Sequence, residues 1–294
     1  MNPVSRYLDP ALVEHLNHLQ LSARSVVLGS TIGQHRSPVK GASIEFRQHR
    51  FYVPGDEPRR LDWRVLGRTD RPYVKEYDEE TNLRCVLMLD CSGSMGYDGQ
   101  HDTKYDYAAK LAAALAYLML GQTESVGAAI CSQALDHWLA PHAGPMQLSR
   151  TLECLERRQP RGPSGLSNAM HEVAERLERR ALVIVLSDFF IPVEQIRSGL
   201  AHLRHDRHEV IAMQVVDRDE VEFPFRNWCR FRGLEGERSQ LCDPSLMRQM
   251  YLDNFRRHRR ALREACLALH VEYQAFTTDK PVLDAIQLFL SRRK

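Results

Sequence analysis

The residues most able to do chemistry follow short apolar runs. Asp90, Ser92 and Ser94 form a D-x-S-x-S pattern directly after one such run. Ser164 lies in a later Gly-Pro-Ser-Gly loop, and Asp188 ends another apolar run. Carboxylate and hydroxyl oxygens suit a hard divalent cation, so these residues predict a site for Mg²⁺, or for Mn²⁺ in its place.

The charges of this predicted site indicate what it would bind. Two carboxylates balance a divalent cation, and the serine hydroxyls add no charge. The metal would therefore stay electrophilic enough to accept a further carboxylate from outside the chain. We expect an acidic side chain of a partner or client protein to occupy this open coordination position on the metal.

The elements that must position these residues lie beyond Leu83. Near-continuous apolar runs alternate there with helical patterns, which is typical of a mainly parallel sheet covered on both faces. The predicted strands are Cys85–Asp90, Ser125–Ser132, Ala181–Asp188, Glu209–Asp217 and Val271–Phe276, with Asp136–Pro141 as an antiparallel edge strand. Ligands of such sheets bind at the carboxyl ends of the strands, where the polar residues stand. The sequence thus predicts a doubly wound α/β fold.

The chain divides by pattern into two predicted regions. Residues 1–82 hold a helix over Asp9–Leu21, with Asp9 as its N-cap, and then a small β-rich module. Residues 83–294 form the sheet domain, which Arg218–Asp243 interrupts as a hairpin insertion. We expect the large domain to carry the site.

The polar residues resemble the metal-ion-dependent adhesion site of von Willebrand factor A domains. Asp90, Ser92 and Ser94 match its first motif, Ser164 stands where that family usually has Thr, and Asp188 matches the Asp of its S/T-D element. The resemblance implies a Rossmann-like fold and a metal-ligand role for all five residues. In such a site the two serines ligate directly and the carboxylates act through water.

The upstream module carries a second resemblance. Segments including Arg50-Phe51-Tyr52-Val53-Pro54-Gly55-Asp56 and Arg59-Arg60-Leu61-Asp62-Trp63-Arg64 are similar to the bacterial family known as domain of unknown function fifty-eight. That family is associated with MoxR-type AAA+ ATPases. The resemblance implies a non-enzymatic, chaperone-like adaptor that works with such an ATPase in the assembly or maturation of a client complex. Many relatives carry N-terminal membrane helices, and because no such segment is evident in this sequence we expect a soluble branch of the family.

Features of the sequence also suggest two other functions. Ser94 on a strand-to-helix turn, followed by Asp188 and a later histidine, has the chain order of a serine hydrolase, but the G-x-S-x-G elbow is missing. Arginine-rich segments could bind nucleic acid, although the net charge of the chain is only +2. We therefore expect no catalytic residue and regard nucleic acid as the weaker candidate.

Basic and histidine clusters leave two local alternatives. Arg59, Arg60, Arg64 and Arg68 could contact a phosphate or a partner, or could pair with the acidic residues interleaved among them. The trio His202, His205 and His208 could bind a metal or could act at a helix C-terminus. Ion pairing and the helix-terminal role are the favoured interpretations.

Composition excludes several classes of protein. The 294 residues are 43% hydrophobic and 27% charged, as in globular domains rather than disordered or collagen-like chains. Seven scattered cysteines without a C-x-x-C pair indicate reduced thiols. The longest apolar stretch, Leu111–Leu120, is too short to cross a bilayer. We expect a cytoplasmic protein without membrane insertion.

Overall fold

A computed structural model describes residues 6–17, 19, 44–53, 62–69, 71–79, 83–236 and 238–291. Its elements are α1 (10–17), β1 (Ile44–Phe51), α2 (Trp63–Thr69), β2 (Tyr73–Glu79), β3 (Arg84–Asp90), α3 (Lys104–Leu120), β4 (Ser125–Cys131), β5 (Leu135–His142), α4 (Pro145–Glu156), α5 (Leu166–Arg176), β6 (Leu182–Ser187), α6 (Val193–His205), β7 (Glu209–Val216), α7 (Arg218–Glu222), β8 (Cys229–Phe231), β9 (Gln240–Cys242), α8 (Pro244–Ala268), β10 (Glu272–Thr277) and α9 (Val282–Ser291). Two compact units contain them, residues 1–33 with 83–294, and residues 34–82.

A six-stranded sheet forms the centre of the larger unit. Its order is β10-β7-β6-β3-β4-β5, and every neighbouring pair is parallel except β4 with β5. All six residues of β6 are buried, because helices cover both faces of the central strands. The predicted α/β fold with a doubly wound, mainly parallel sheet is confirmed, and so is its antiparallel edge.

Two layers of helices bury the sheet. One core cluster joins the sheet to α1, α3, α4 and α9, and the other joins it to α5, α6 and α8. Helix α3 is rich in alanine, and its run Ala112–Ala114 is fully buried. Small side chains let α3 lie close to the strands, which brings its first residue near their carboxyl ends.

The N-terminal helix belongs to the larger unit. The Leu12 N–H donates to Asp9 Oδ1 at 2.7 Å, so Asp9 caps the helix as the sequence indicates. Tyr7, Leu8 and Leu16 are buried in the core cluster that contains α3. The sequence pattern predicts that this helix belongs with the β-rich module, but its apolar residues supply part of the core of the sheet domain instead.

The smaller unit contains an antiparallel pair, β1 with β2, and the short helix α2. Asp62 is buried and its Oδ1 accepts the N–H of Val65 at 3.3 Å. Arg59 and Arg60 lie outside the described residues, as does the side chain of Arg64, while Arg68 is exposed near the end of α2. The role predicted for these four arginines stays a prediction.

The segment predicted as a hairpin insertion begins with a helix. Helix α7 covers Arg218–Glu222, and the antiparallel pair β8–β9 follows it. The helix forms because Asp217 and Glu220 make a capping box at its start. Across the described part of the chain, no helix is long and apolar enough to cross a membrane.

Candidate functional site

Two loops meet beyond the carboxyl end of β3. The first contains a single 3₁₀ turn, Gly93–Gly96, and the second contains Ser164. The N–H of Gly93 donates to the carbonyl of Gly162 at 2.8 Å, and the N–H of Arg161 donates to the carbonyl of Cys91 at 3.0 Å. These backbone bonds hold the two serine-bearing loops together.

Asp90 is the buried centre of this arrangement. Its Oδ2 accepts hydrogen bonds from the hydroxyls of Ser187 at 2.7 Å and Ser164 at 3.1 Å, and its Oδ1 accepts the N–H of Ser92 at 2.9 Å. Strands β3 and β6 are parallel neighbours, so Asp90 and Ser187 emerge side by side at their ends. Three donors thus fix both oxygens of one carboxylate.

Ser92 and Ser94 place two further oxygens beside it. Their Oγ atoms are 3.2 Å apart. Two adjacent ligands of an octahedral Mg²⁺ at about 2.1 Å lie about 3 Å from each other. The spacing between these hydroxyls, and that between Ser164 Oγ and Asp90 Oδ2, therefore fit an all-oxygen site for a small divalent cation.

Asp188 has a cationic partner that lies far from it in the sequence. Lys104 Nζ lies 2.7 Å from Asp188 Oδ2 and 2.6 Å from Glu220 Oε1, and its side chain is fully buried. Asp188 Oδ1 accepts the N–H of Phe190 at 3.1 Å. Both oxygens of Asp188 are thus engaged by the chain itself, so the residue suits an indirect role at a metal better than direct ligation.

The charges of the cluster shift the pKa values of its members. Burial alone would lower the pKa of Lys104, but Asp188 and then Glu220 raise it above its usual value. Burial, followed by the charge of Asp188, raises the pKa of Asp90 to about 6. Burial also raises the pKa of Glu220, against the attraction of Lys104. When all are ionised, three carboxylates face one ammonium, an excess of two negative charges that a divalent cation would balance.

Sequence reasoning missed Lys104, Glu220 and Ser187 as parts of the site. Lys104 is the first residue of α3, where the positive end of the helix dipole disfavours a cation. A lysine at this unfavourable position was the signal that could have indicated acidic partners. Glu220 could have been found from the D-x-x-E capping pattern that starts at Asp217. Ser187 stands next to Asp188 in the sequence, but only strand pairing shows that it faces Asp90.

Hydrogen bonds connect four of the five predicted metal ligands, namely Asp90 with Ser92 and Ser164, and Ser92 with Ser94. Asp188 joins them through its charge rather than through a hydrogen bond. Within the described ranges, no three His, Cys, Asp or Glu side chains are grouped to hold a metal ion. A metal site at this place would therefore depend on serine hydroxyls, and the ligand assignment stays a prediction.

The histidine trio does not converge. His202 Nδ1 lies 2.7 Å from His171 Nδ1, His205 Nδ1 lies 3.2 Å from Asp206, and His208 Nδ1 accepts the N–H of Ala181. His202 Nε2 also lies 3.7 Å from Asp206 Oδ2, so His202 and His205 share this carboxylate, whereas His208 follows the end of α6 and bonds to the backbone. Among the described residues, no three His, Cys, Asp or Glu side chains are grouped to hold a metal ion. The metal alternative for this trio has no support in the geometry.

The residues that suggested hydrolysis or nucleic-acid binding, Ser94 and the arginines of α8, also have local partners. The Ser94 hydroxyl is paired with Ser92 rather than with a histidine. On α8, Arg256 lies 3.6 Å from Asp253 and the Arg259 guanidinium lies over the Phe255 ring. Neither arrangement specifically indicates hydrolysis or nucleic-acid binding.

The sequence matches the family described as "Protein of unknown function DUF58" over residues 48–261, which is more than two thirds of the chain. The chain belongs to the DUF58 family. Curated relatives in this family include uncharacterized proteins of Mycobacterium tuberculosis and Mycobacterium bovis. Each is 30% identical over 220 residues, covering 74% of this chain and 68% of the relative.

Similar solved structures are more distant. BatB from Bacteroides thetaiotaomicron is 13% identical with a TM-score of 0.46, over 72% of this DUF58 chain and 98% of that one. An aerotolerance-related membrane protein from Bacteroides fragilis is 14% identical with a TM-score of 0.47, over 71% and 99%. Manganese-loaded TRAP of Plasmodium vivax is 14% identical with a TM-score of 0.32, over 45% and 57%.

Proposed function

We propose that this DUF58 protein is a non-enzymatic, metal-dependent protein-binding adaptor of the cytoplasm. The observation that carries the proposal is the convergence of Asp90, Ser92, Ser94 and Ser164 at the carboxyl end of the parallel sheet. Ser164 Oγ lies 3.1 Å from Asp90 Oδ2, Ser92 Oγ lies 3.2 Å from Ser94 Oγ, and the Ser92 N–H donates to Asp90 Oδ1. Mg²⁺, or Mn²⁺ in its place, would be held directly by Ser92 and Ser94. A bound ion would offer an open position to a carboxylate oxygen from a partner or client.

The remaining polar residues would set the properties of that site. Ser187 orients Asp90 by donating to its Oδ2, and the charge of Asp188 adds to the negative potential. Lys104 holds Asp188 in place and removes part of that potential. The chain would thus keep its carboxylates fixed while leaving the metal able to accept a further carboxylate.

The partner in this proposal is a MoxR-type AAA+ ATPase, which the family resemblance implies. The chain itself has no G-x-x-x-x-G-K-[ST] motif, so nucleotide hydrolysis would belong to the partner. The pair would act in the assembly or maturation of a client protein complex. Support for this part of the proposal comes from the family alone.

Calorimetric titration of Mn²⁺ and Mg²⁺ into the purified full chain tests the metal site. Ser94→Ala removes one hydroxyl, and we expect it to weaken binding at least about tenfold, the smallest effect usual for residues that support a metal site. Ser198→Ala removes an exposed hydroxyl that contacts His171 on another surface, so it should bind as the wild type does. Equal binding by both variants, or no binding by the wild type, would exclude the proposed site.

Co-sedimentation with the AAA+ ATPase encoded nearest to this chain in its genome tests the partner. We expect association in Mg²⁺ and its loss in EDTA or with Ser94→Ala. Association that is unchanged by EDTA would leave the ATPase as partner but remove the metal from the interface.

A further inference from the structure

The seven cysteines fall into two classes by accessibility. Cys229 and Cys242 are half-buried, whereas the others are buried. The buried ones are Cys85, Cys91, Cys131, Cys154 and Cys266. Cys229 and Cys242 are also direct register partners in the antiparallel pair of β8 and β9. The two most accessible thiols of the chain are therefore neighbours.

The strand register suits a covalent link between them. Opposed residues of an antiparallel pair have Cα atoms about 4.5–5.5 Å apart, and a disulfide spans Cα separations of about 4.4–6.8 Å. Opposed side chains also share one face of the hairpin. Partial burial and then the neighbouring Cys242 raise the pKa of Cys229, as expected for two sulfurs within electrostatic reach. A disulfide is therefore compatible with the strand register.

We propose that Cys229 and Cys242 form a reversible disulfide when the protein meets a low-molecular-weight disulfide. One cysteine thiolate attacks a sulfur of that oxidant, forms a mixed disulfide and releases one small thiol. The second cysteine then attacks the mixed disulfide at the protein sulfur and releases the other small thiol. Two electrons and two protons pass from the protein thiols to the two released thiols, so the exchange is balanced.

The position of the hairpin gives this modification a structural consequence. Its turn contains Leu234, and a Cβ atom placed on Gly93 would overlap the carbonyl oxygen of Leu234. Strands β8 and β9 have only three residues each, so few ladder bonds hold the hairpin in register. The disulfide would fix β8 and β9 in register beside the D-x-S-x-S loop, and a reducing thiol would release them.

Peptide mapping of the folded full chain after exposure to oxidised glutathione tests the proposal. Trypsin cleaves after Arg230 and Arg238, so the two cysteines fall in separate peptides, Asn227–Arg230 and Ser239–Arg248. After alkylation of free thiols, we expect these two peptides as one linked species, lighter by two hydrogen atoms than their sum. Dithiothreitol should separate them.

Variants show whether the link depends on this pair. Cys242→Ser should leave Cys229 as a stable glutathione adduct, because the resolving thiol is gone. Cys154→Ser removes a buried thiol on α4 and should give as much linked peptide as the wild type. Each variant is first checked for a cooperative thermal transition at the wild-type midpoint. Persistent adducts on both cysteines of the wild type, or two unmodified thiols, would overturn the proposal.

Discussion

The two ends of the central sheet each bury an ionisable side chain, and they do so with opposite electrostatic outcomes. At the carboxyl end, Lys104 is buried beside Asp188 and Glu220, and its pKa is raised. At the amino end, His208 is buried next to the start of β6, and burial lowers its pKa. Its Nδ1 accepts the N–H of Ala181 at 3.2 Å, so the neutral ring is the form that fits.

The difference shows what decides the charge of a buried group. Burial disfavours the charged form at both ends. Two carboxylates in contact with Lys104 outweigh that cost, whereas the weaker attraction of Asp206 does not outweigh it for His208. Lys104 therefore stays charged at the end of the sheet where the candidate site lies, whereas burial favours the neutral ring of His208.

Removal of the buried ammonium should give the largest effect. Lys104→Met leaves Asp188 and Glu220 buried without their cation, and we expect a loss of about 3–5 kcal/mol in the free energy of unfolding. Urea denaturation followed by circular dichroism measures it. Adding Glu220→Gln to that variant should recover part of the lost stability, since it removes one of the two carboxylates that are left without a cation.

Lys110→Met is the matched control on the same helix. Lys110 pairs with Asp102 at 2.5 Å, but both side chains are substantially exposed. Such pairs contribute at most about 1 kcal/mol. If the two lysine variants lost similar stability, the contrast between buried and exposed charge would not hold for α3.

Loss of a neutral hydrogen-bond donor at the carboxyl end of the sheet should have an intermediate effect on the free energy of unfolding. Ser187→Ala leaves Asp90 Oδ2 without its 2.7 Å hydrogen bond and removes the acceptor of the Phe189 N–H. We expect a loss of about 2 kcal/mol, because the bond is made to a buried charge. Ser167→Ala, which removes an exposed bond to the Gln195 carbonyl, should change urea stability by less than half as much. The reverse order would contradict the assigned role of Ser187.

We expect the smallest effect at the amino end of the sheet, where His208 makes the free energy of unfolding depend on pH. The pKa of His208 lies below its usual 6.5 in the folded state, so below about pH 6.5 the unfolded chain takes up a proton that the folded one does not. Stability contributed by this group is present above that pH and is lost as the pH falls, by no more than about 1.4 kcal/mol per pH unit. His208→Asn, whose Oδ1 can accept the same N–H, should reduce the slope of unfolding free energy between pH 6.5 and 5.

His205→Gln supplies the comparison for that slope. Its ring is 87% exposed, so this variant removes one histidine without disturbing the core. A slope unaltered by His208→Asn would mean that the buried ring gains a proton as readily as the unfolded one.

Local patterns were enough to predict the strands, the antiparallel edge and the first serine motif. Each of these depends on residues close in sequence, such as the buried run that ends at Asp90 or the short gap between β4 and β5. Grouping α1 with the β-rich module failed, because Leu16 is buried in a core cluster whose members outside the N-terminal segment begin at Cys85. Helix spacing shows that a face is apolar, but not which surface covers it.

The sequence by itself determined that two carboxylates and two serines stand where strands end and that Ser164 stands in a polar loop, since apolar runs and polar loops are local features. Only the tertiary structure decided how those carboxylates are held. Lys104 reaches Asp188 and Glu220 across 84 and 116 positions of sequence, and Ser187 reaches Asp90 across 97. A buried cation at the start of a helix is unfavourable unless such distant charges surround it, and the packing of α3 and α7 at the end of the sheet brings those charges together.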